Sequence, residues 1–160
     1  MMILSYSLSR YFDLSFMYMT SRSEWWQYLT YTLIHNSIAH LSVNIAMLII
    51  YWNALGKTHS PKAIIPICFI SSIISSFLCS KVTPTVGASA LVFSLMGIFT
   101  ANMWTTKNSN RLRFTLTLMT MVIIQTLVGF KNVNWQLHLV SYGFSIILTL
   151  PYGYISKKYR

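Results

Sequence analysis

The stretch "TPTVGASALVFSLMG", residues 83–97, runs from a loop marked by Pro84 and Gly87 into membrane-grade apolar residues, with one hydroxyl, Ser89, at the junction. Pro and Gly punctuate regular structure, so a helix is expected to open near Ser89. From Ser89 to Trp104 the apolar run is 16 residues long. As a helix that is about 24 Å, against about 30 Å for a hydrocarbon core. A membrane helix that short, preceded by non-helical backbone, begins below the surface, where protein or water must satisfy the polar groups of the loop. The stretch predicts a serine at the floor of a wet pocket.

The composition agrees with a membrane setting. Of 160 residues, 54% are hydrophobic and 9% charged, where soluble domains carry about 25% charged residues. The length is that of one domain. Twelve Lys and Arg stand against two acids, Asp13 and Glu24. Nucleic-acid-binding proteins share such a balance but cluster their cations on a polar face. Here the cations separate apolar runs and act as topology signals, which argues against nucleic acid as a partner.

Five runs are long enough to matter: Tyr28 to Leu55, Ala63 to Leu78, Ser89 to Trp104, Leu112 to Phe130 and Leu137 to Tyr154. If the first enters from outside, Lys57, Lys62, Lys107, Arg111, Arg113, Lys157, Lys158 and Arg160 fall inside, and Arg10, Arg22, Lys81 and Lys131 outside. Topology rules favour that choice. It puts the carboxyl terminus in the cytoplasm and Ser89 on the outer side. Residues 1–27, with Arg10 and Asp13 among apolar neighbours, read as an interfacial segment. They lack the basic start and small-residue cleavage site of a secretory signal. Residues 28–155 form the membrane domain, and 156–160, "SKKYR", a basic cytoplasmic tail.

Polar groups inside membrane helices are costly and turn toward cavities or partners. Ser is a favoured helix N-cap, and Ser89 could do no more than that. Other polar residues bear on the choice. His40 and Asn44 lie four apart in "HNSIAHLSVN", residues 35–44, and share a helix face. His35, five residues before His40, is turned about 140° away on a continuous helix. His138 opens the last run from the same side as Ser89 opens its own.

A serine nucleophile needs a base within hydrogen-bond reach and donors aimed at the developing oxyanion. His138 can be that base. The Ser89 N–H, at a helix N-terminus, and the His40 and Asn44 side chains can be the donors. Both acids lie in the amino-terminal segment, so the chemistry is that of a Ser-His dyad. A zinc enzyme's HExxH and an aspartyl enzyme's two membrane Asp residues cannot be assembled here. The four His do not share one face, and no metal or cofactor is expected. Cys68 and Cys79, about 16 Å apart along one helix, cannot pair.

Three motifs resemble those of the rhomboid intramembrane serine proteases. "GASALVFSLMG" is similar to the stretch that opens the fourth helix of the family's six-helix core, "HNSIAHLSVN" to its second-helix HxxxxHxxxN pattern, and "WQLHLVSYGFS" to the segment carrying its sixth-helix histidine. The resemblance covers residues 24 to about 150. It implies an all-α integral membrane bundle of about five transmembrane helices, the family's second through sixth, with no counterpart of the first. It implies Ser89 as nucleophile, His138 as general base and His40 and Asn44 as oxyanion stabilisers. Gly87 would keep the loop close, Phe93 would stack near the histidine, and His35 would support the site.

Two departures stand out. Trp26 is followed by Gln27 where the family has Arg, and Ser141 and Ser145 replace sixth-helix glycines. The serines keep a small-xxx-small spacing that could pack against Ala90, Ser94, Gly97 and Ala101. The function expected from the resemblance is an intramembrane serine endopeptidase. It would act on transmembrane or membrane-adjacent segments of other proteins, cut beside a small residue, in a bacterial cytoplasmic membrane. The competing class is a catalytically silent rhomboid-like protein that binds or escorts membrane helices. Members of that class usually lack the serine or the histidine. A small transporter has no inverted repeat here to support it.

Overall fold

The computed structural model describes residues 14–20, 24–79, 84–127 and 134–158. Among these the regular structure is helical. A 3-10 turn at Ser15–Met17 precedes the short helix α1 (Gln27–Thr30) and a second 3-10 turn (Tyr31–Leu33). Then follow α2 (Ile38–Gly56), α3 (Pro61–Cys79), α4 (Ser89–Thr105), α5 (Arg111–Leu127) and α6 (Trp135–Lys158).

Helices α2 and α3 have 19 residues each, about 28 Å of rise, close to the thickness of a hydrocarbon core. Their outward faces carry Ile49, Ile50, Phe69, Ile70 and Phe77, all exposed. Apolar exposure on that scale is unstable in water and natural in lipid. With the motifs above, these faces make the chain an integral membrane helical bundle.

Helix α4 is the axis of that bundle. Ala90 and every residue from Val92 to Ile98 are buried, as are Thr100, Ala101 and Met103. A helix that is apolar all round belongs inside others, and α2, α3 and α6 enclose it while α5 touches it more lightly. The core joins Val92, Phe93, Leu95, Met96 and Ile98 of α4 to Tyr51 and Leu55 of α2, Ile64 and Cys68 of α3, and Tyr142 of α6.

The closest approach is between α4 and α6. A Cβ on Gly97 would collide with Ser145 Oγ and with the Tyr142 backbone carbonyl. Ser94, Ser141 and Ser145 are fully buried in the same region. Small residues let helix backbones approach in membranes, where dispersion and polar contacts replace a hydrophobic driving force. Ser145 keeps its own hydroxyl satisfied on the Tyr142 carbonyl, 2.8 Å.

Several expected boundaries shift. The first apolar run is not one helix from Tyr28: Ile34 (ψ 144°) is extended and Ser37 (φ −153°, ψ 159°) caps α2, its hydroxyl accepting the His40 N–H at 3.1 Å. A Ser cap satisfies one of the orphan N–H groups of the first turn, which fixes the helix start at Ile38. The fourth run is described as far as Leu127, and its expected end at Phe130 lies outside the described residues. So do residues 1–13, with Arg10 and Asp13 of the expected interfacial segment, and Tyr159 and Arg160 of the tail.

Candidate active site

The loop before α4 is held from several sides. Thr85 and Met19 form an isolated antiparallel bridge, Met19 N–H to Thr85 C=O at 3.1 Å and Thr85 N–H to Met19 C=O at 2.8 Å. Gly87 N–H donates to the Tyr31 carbonyl at 2.9 Å. Ala88 N–H donates to His35 Nε2 at 3.3 Å. Gly87 and Ala88 N–H groups are thus taken, and the Ser89 N–H stands at the head of α4, where a helix's first N–H groups have no intrahelical acceptor.

Gly87 is required where it sits. Its φ is +107°, in the region that side chains disfavour. A Cβ there would also stand 2.6 Å from His40 Cε1. The His40 ring therefore lies directly on the Gly87 backbone, two residues before Ser89.

Ser89 does not cap its helix. The cap position is Ala88, which makes no side-chain cap bond, and the Ser89 hydroxyl lies 2.9 Å from His138 Nε2. Both side chains are buried, 7% and 9% exposed. With the His138 Nδ1–H tautomer, Nε2 is the acceptor and the hydroxyl donates. Phe93, one turn into α4, stacks on the His138 ring with centroids 4.3 Å apart and planes 6° from parallel. Stacking on a buried ring fixes the plane of the imidazole, which no described acid does: Glu24, ahead of α1, is exposed.

His40 and Asn44 lie one turn apart on α2, as their spacing requires. Asn44 is 4% exposed, and its Nδ2 has no hydrogen-bond partner among the described residues. Buried amides are nearly always paired, so an unpaired donor at this position is unusual. His35 corrects the helical reckoning. It precedes α2 rather than extending it, so its ring meets His40 edge-on at 5.2 Å instead of facing away.

Gln27, in place of the family's arginine, is used to tie the amino-terminal segment. Its Nε2 donates to the Phe16 carbonyl, its Oε1 accepts Glu24 N–H at 2.6 Å, and the Trp26 and Phe16 rings pack at 6.1 Å. Tyr31 OH and Ser76 Oγ bond at 2.7 Å, joining that segment to α3. Among the described residues no three His, Cys, Asp or Glu side chains converge. The groups around the head of α4 are the Ser89 hydroxyl and the His138, His40 and His35 imidazoles, with the Asn44 amide one turn beyond His40 on α2; a hydroxyl against an imidazole is a pair fit for acyl-transfer chemistry.

Sequence reasoning missed Asn134, Thr85, Tyr31 and Met19, which hold the loop and the helix that carries His138. Asn134 carried a visible signal, an Asn just ahead of a helix-forming run. The others carried none, because their partners are 45 or more residues away.

The Rhomboid domain family model matches residues 22–155. The chain is also 25% identical over 118 residues to the human protein Rhomboid-related protein 3. That match takes in 71% of this chain and 29% of the relative, so the chain spans under a third of the relative's length.

Proposed function

The chain belongs to the rhomboid family, and on that premise we propose that it is an intramembrane serine endopeptidase cleaving transmembrane or membrane-adjacent segments of other membrane proteins. The observation that carries this reading is the 2.9 Å contact between Ser89 Oγ and His138 Nε2, made across two helices.

The chemistry follows from the groups in reach. His138 Nε2 takes the hydroxyl proton as Ser89 Oγ attacks the scissile carbonyl carbon. The carbonyl oxygen becomes an oxyanion, stabilised by the Ser89 N–H at the head of α4 and by the His40 and Asn44 side chains. The imidazolium returns its proton to the departing amine, leaving an acyl ester on Ser89. Water then attacks the ester with His138 again as base, and collapse of the second oxyanion frees the serine. Among the described residues no acid completes a triad, and Phe93 supplies the orientation by stacking. We further propose that the site opens to the outer side of a bacterial cytoplasmic membrane, with the carboxyl terminus inside, and that small residues are preferred at the cut.

The test is labelling of the detergent-solubilised protein with a fluorophosphonate. Wild type is expected to label and Ser89→Ala to remain unlabelled with an unchanged melting curve. A wild type that does not label, yet binds membrane helices, would return the protein to the silent, helix-escorting class.

A further inference from the structure

We propose that Asn134 is a positioning residue that clamps the base-bearing helix to the nucleophile loop, an inference that rests on the serine-protease reading. Asn134 stands immediately before α6 and is 4% exposed. Its side chain makes three hydrogen bonds in three directions. Oδ1 accepts the Leu137 N–H at 3.1 Å. Nδ2 donates to the Cys79 carbonyl at the end of α3 at 3.1 Å and to Thr85 Oγ1 at 3.1 Å. The orientation of the amide is fixed by chemistry: only NH₂ can face a carbonyl and only oxygen can face an N–H.

Each bond reaches a part of the site. Through Oδ1, Asn134 caps the first turn of α6, and its backbone carbonyl accepts the His138 N–H at 3.4 Å. Through Thr85, it holds the loop that ends in Gly87, Ala88 and Ser89, and Thr85 is itself paired with Met19. Through Cys79, it holds the helix that leads into that loop. One side chain therefore sets the separation of the first turn of α6 from the head of α4. In most serine hydrolases an acid orients the base; here no described acid approaches His138, so Phe93 sets the plane of the ring and relative helix placement sets its distance from Ser89. A displacement of about 1 Å between nucleophile and base is worth about 10²-fold in rate.

The experiment uses the full-length protein in detergent. Fluorophosphonate labelling rates, and kcat and KM on a transmembrane-segment reporter, are measured for wild type, Ser89→Ala, Asn134→Ser, Thr85→Val and the double variant. Ser at position 134 retains an oxygen to cap the helix but has no NH₂ to reach Cys79 or Thr85. The expected result is labelling slowed about 10- to 100-fold in Asn134→Ser, a smaller but clear loss in Thr85→Val, and a double variant no slower than Asn134→Ser, because both remove the same link. KM should stay near wild type while kcat falls.

Wild-type labelling rates in Asn134→Ser overturn the inference and leave the protease reading standing. So do losses that multiply in the double variant. If Asn134→Ser does not fold, Thr85→Val decides alone, and its labelling at the wild-type rate counts against the clamp. Absence of labelling in wild type removes the premise, and the clamp with it.

Discussion

Asn44→Ala is the sharpest test of the oxyanion assignment, because the resting structure and the transition state make opposite demands on this side chain. In the resting protein, Asn44 Nδ2 is buried and makes no hydrogen bond to any described residue. Leaving such a donor unpaired costs about 1–3 kcal/mol, which truncation to alanine removes. Against that stands the loss of packing around a short polar side chain, of similar size. The net change in stability is expected near zero. In the transition state the same donor meets an oxyanion, and removing one such donor costs about 10²- to 10³-fold in kcat, roughly 2.7–4 kcal/mol. An amide that merely bonds a neighbouring membrane helix behaves differently, contributing about 0.6 kcal/mol to stability. The assay is cleavage of a transmembrane reporter in liposomes, giving kcat and KM, beside a melting curve for each variant. The expected pattern is a large fall in kcat with little change in KM or Tm. A variant that melts markedly earlier yet turns over at near the wild-type rate makes Asn44 a packing residue and refutes the reasoning.

The other predictions follow from contacts of the same site. His138→Ala is expected to abolish labelling and cleavage. Wild-type kcat/KM should fall as pH is lowered through the imidazole range, since a protonated ring cannot accept the Ser89 proton; a flat profile, with chemistry rate-limiting, speaks against His138 as base. Gly87→Ala forces a side chain onto a φ of +107° and against His40 Cε1 at 2.6 Å. It should cost about 1–3 kcal/mol in a denaturation series and displace an oxyanion donor, so kcat and stability fall together. Gly97→Ala drives a methyl into Ser145 Oγ and the Tyr142 carbonyl, with an expected loss of about 1–3 kcal/mol read by thermal melting. Adding Ser145→Ala removes only one of the two obstructing atoms and should restore part of it; full recovery would show that the backbone contact is not tight.

What the sequence determined by itself is whatever repeats along one helix or sits at its end. Apolar runs between cations mark the membrane helices, the four-residue spacing of His40 and Asn44 puts them on one face, and the small residues of α4 and α6 announce a close pair. Helical periodicity is local, and a reader of the chain has it in full. It also misleads when the helix stops. An unbroken helix would turn His35 away from His40, whereas Ser37 ends the extended stretch and α2 opens one residue later, bringing His35 against His40 and onto the Ala88 N–H.

Which polar groups meet is settled by how the helices pack. Ser89 and His138 are separated by 49 positions, as are Asn134 and Thr85, and Ala88 and His35 by 53. No spacing rule links such residues, because their approach depends on how closely α4 and α6 pack and on where α3 ends. Ser89 as a helix cap and Ser89 as a hydrogen-bond partner of His138 look the same in the sequence. The difference lies in the direction its hydroxyl takes, and that is fixed by a neighbouring helix held close through Gly97 and through the amide of Asn134.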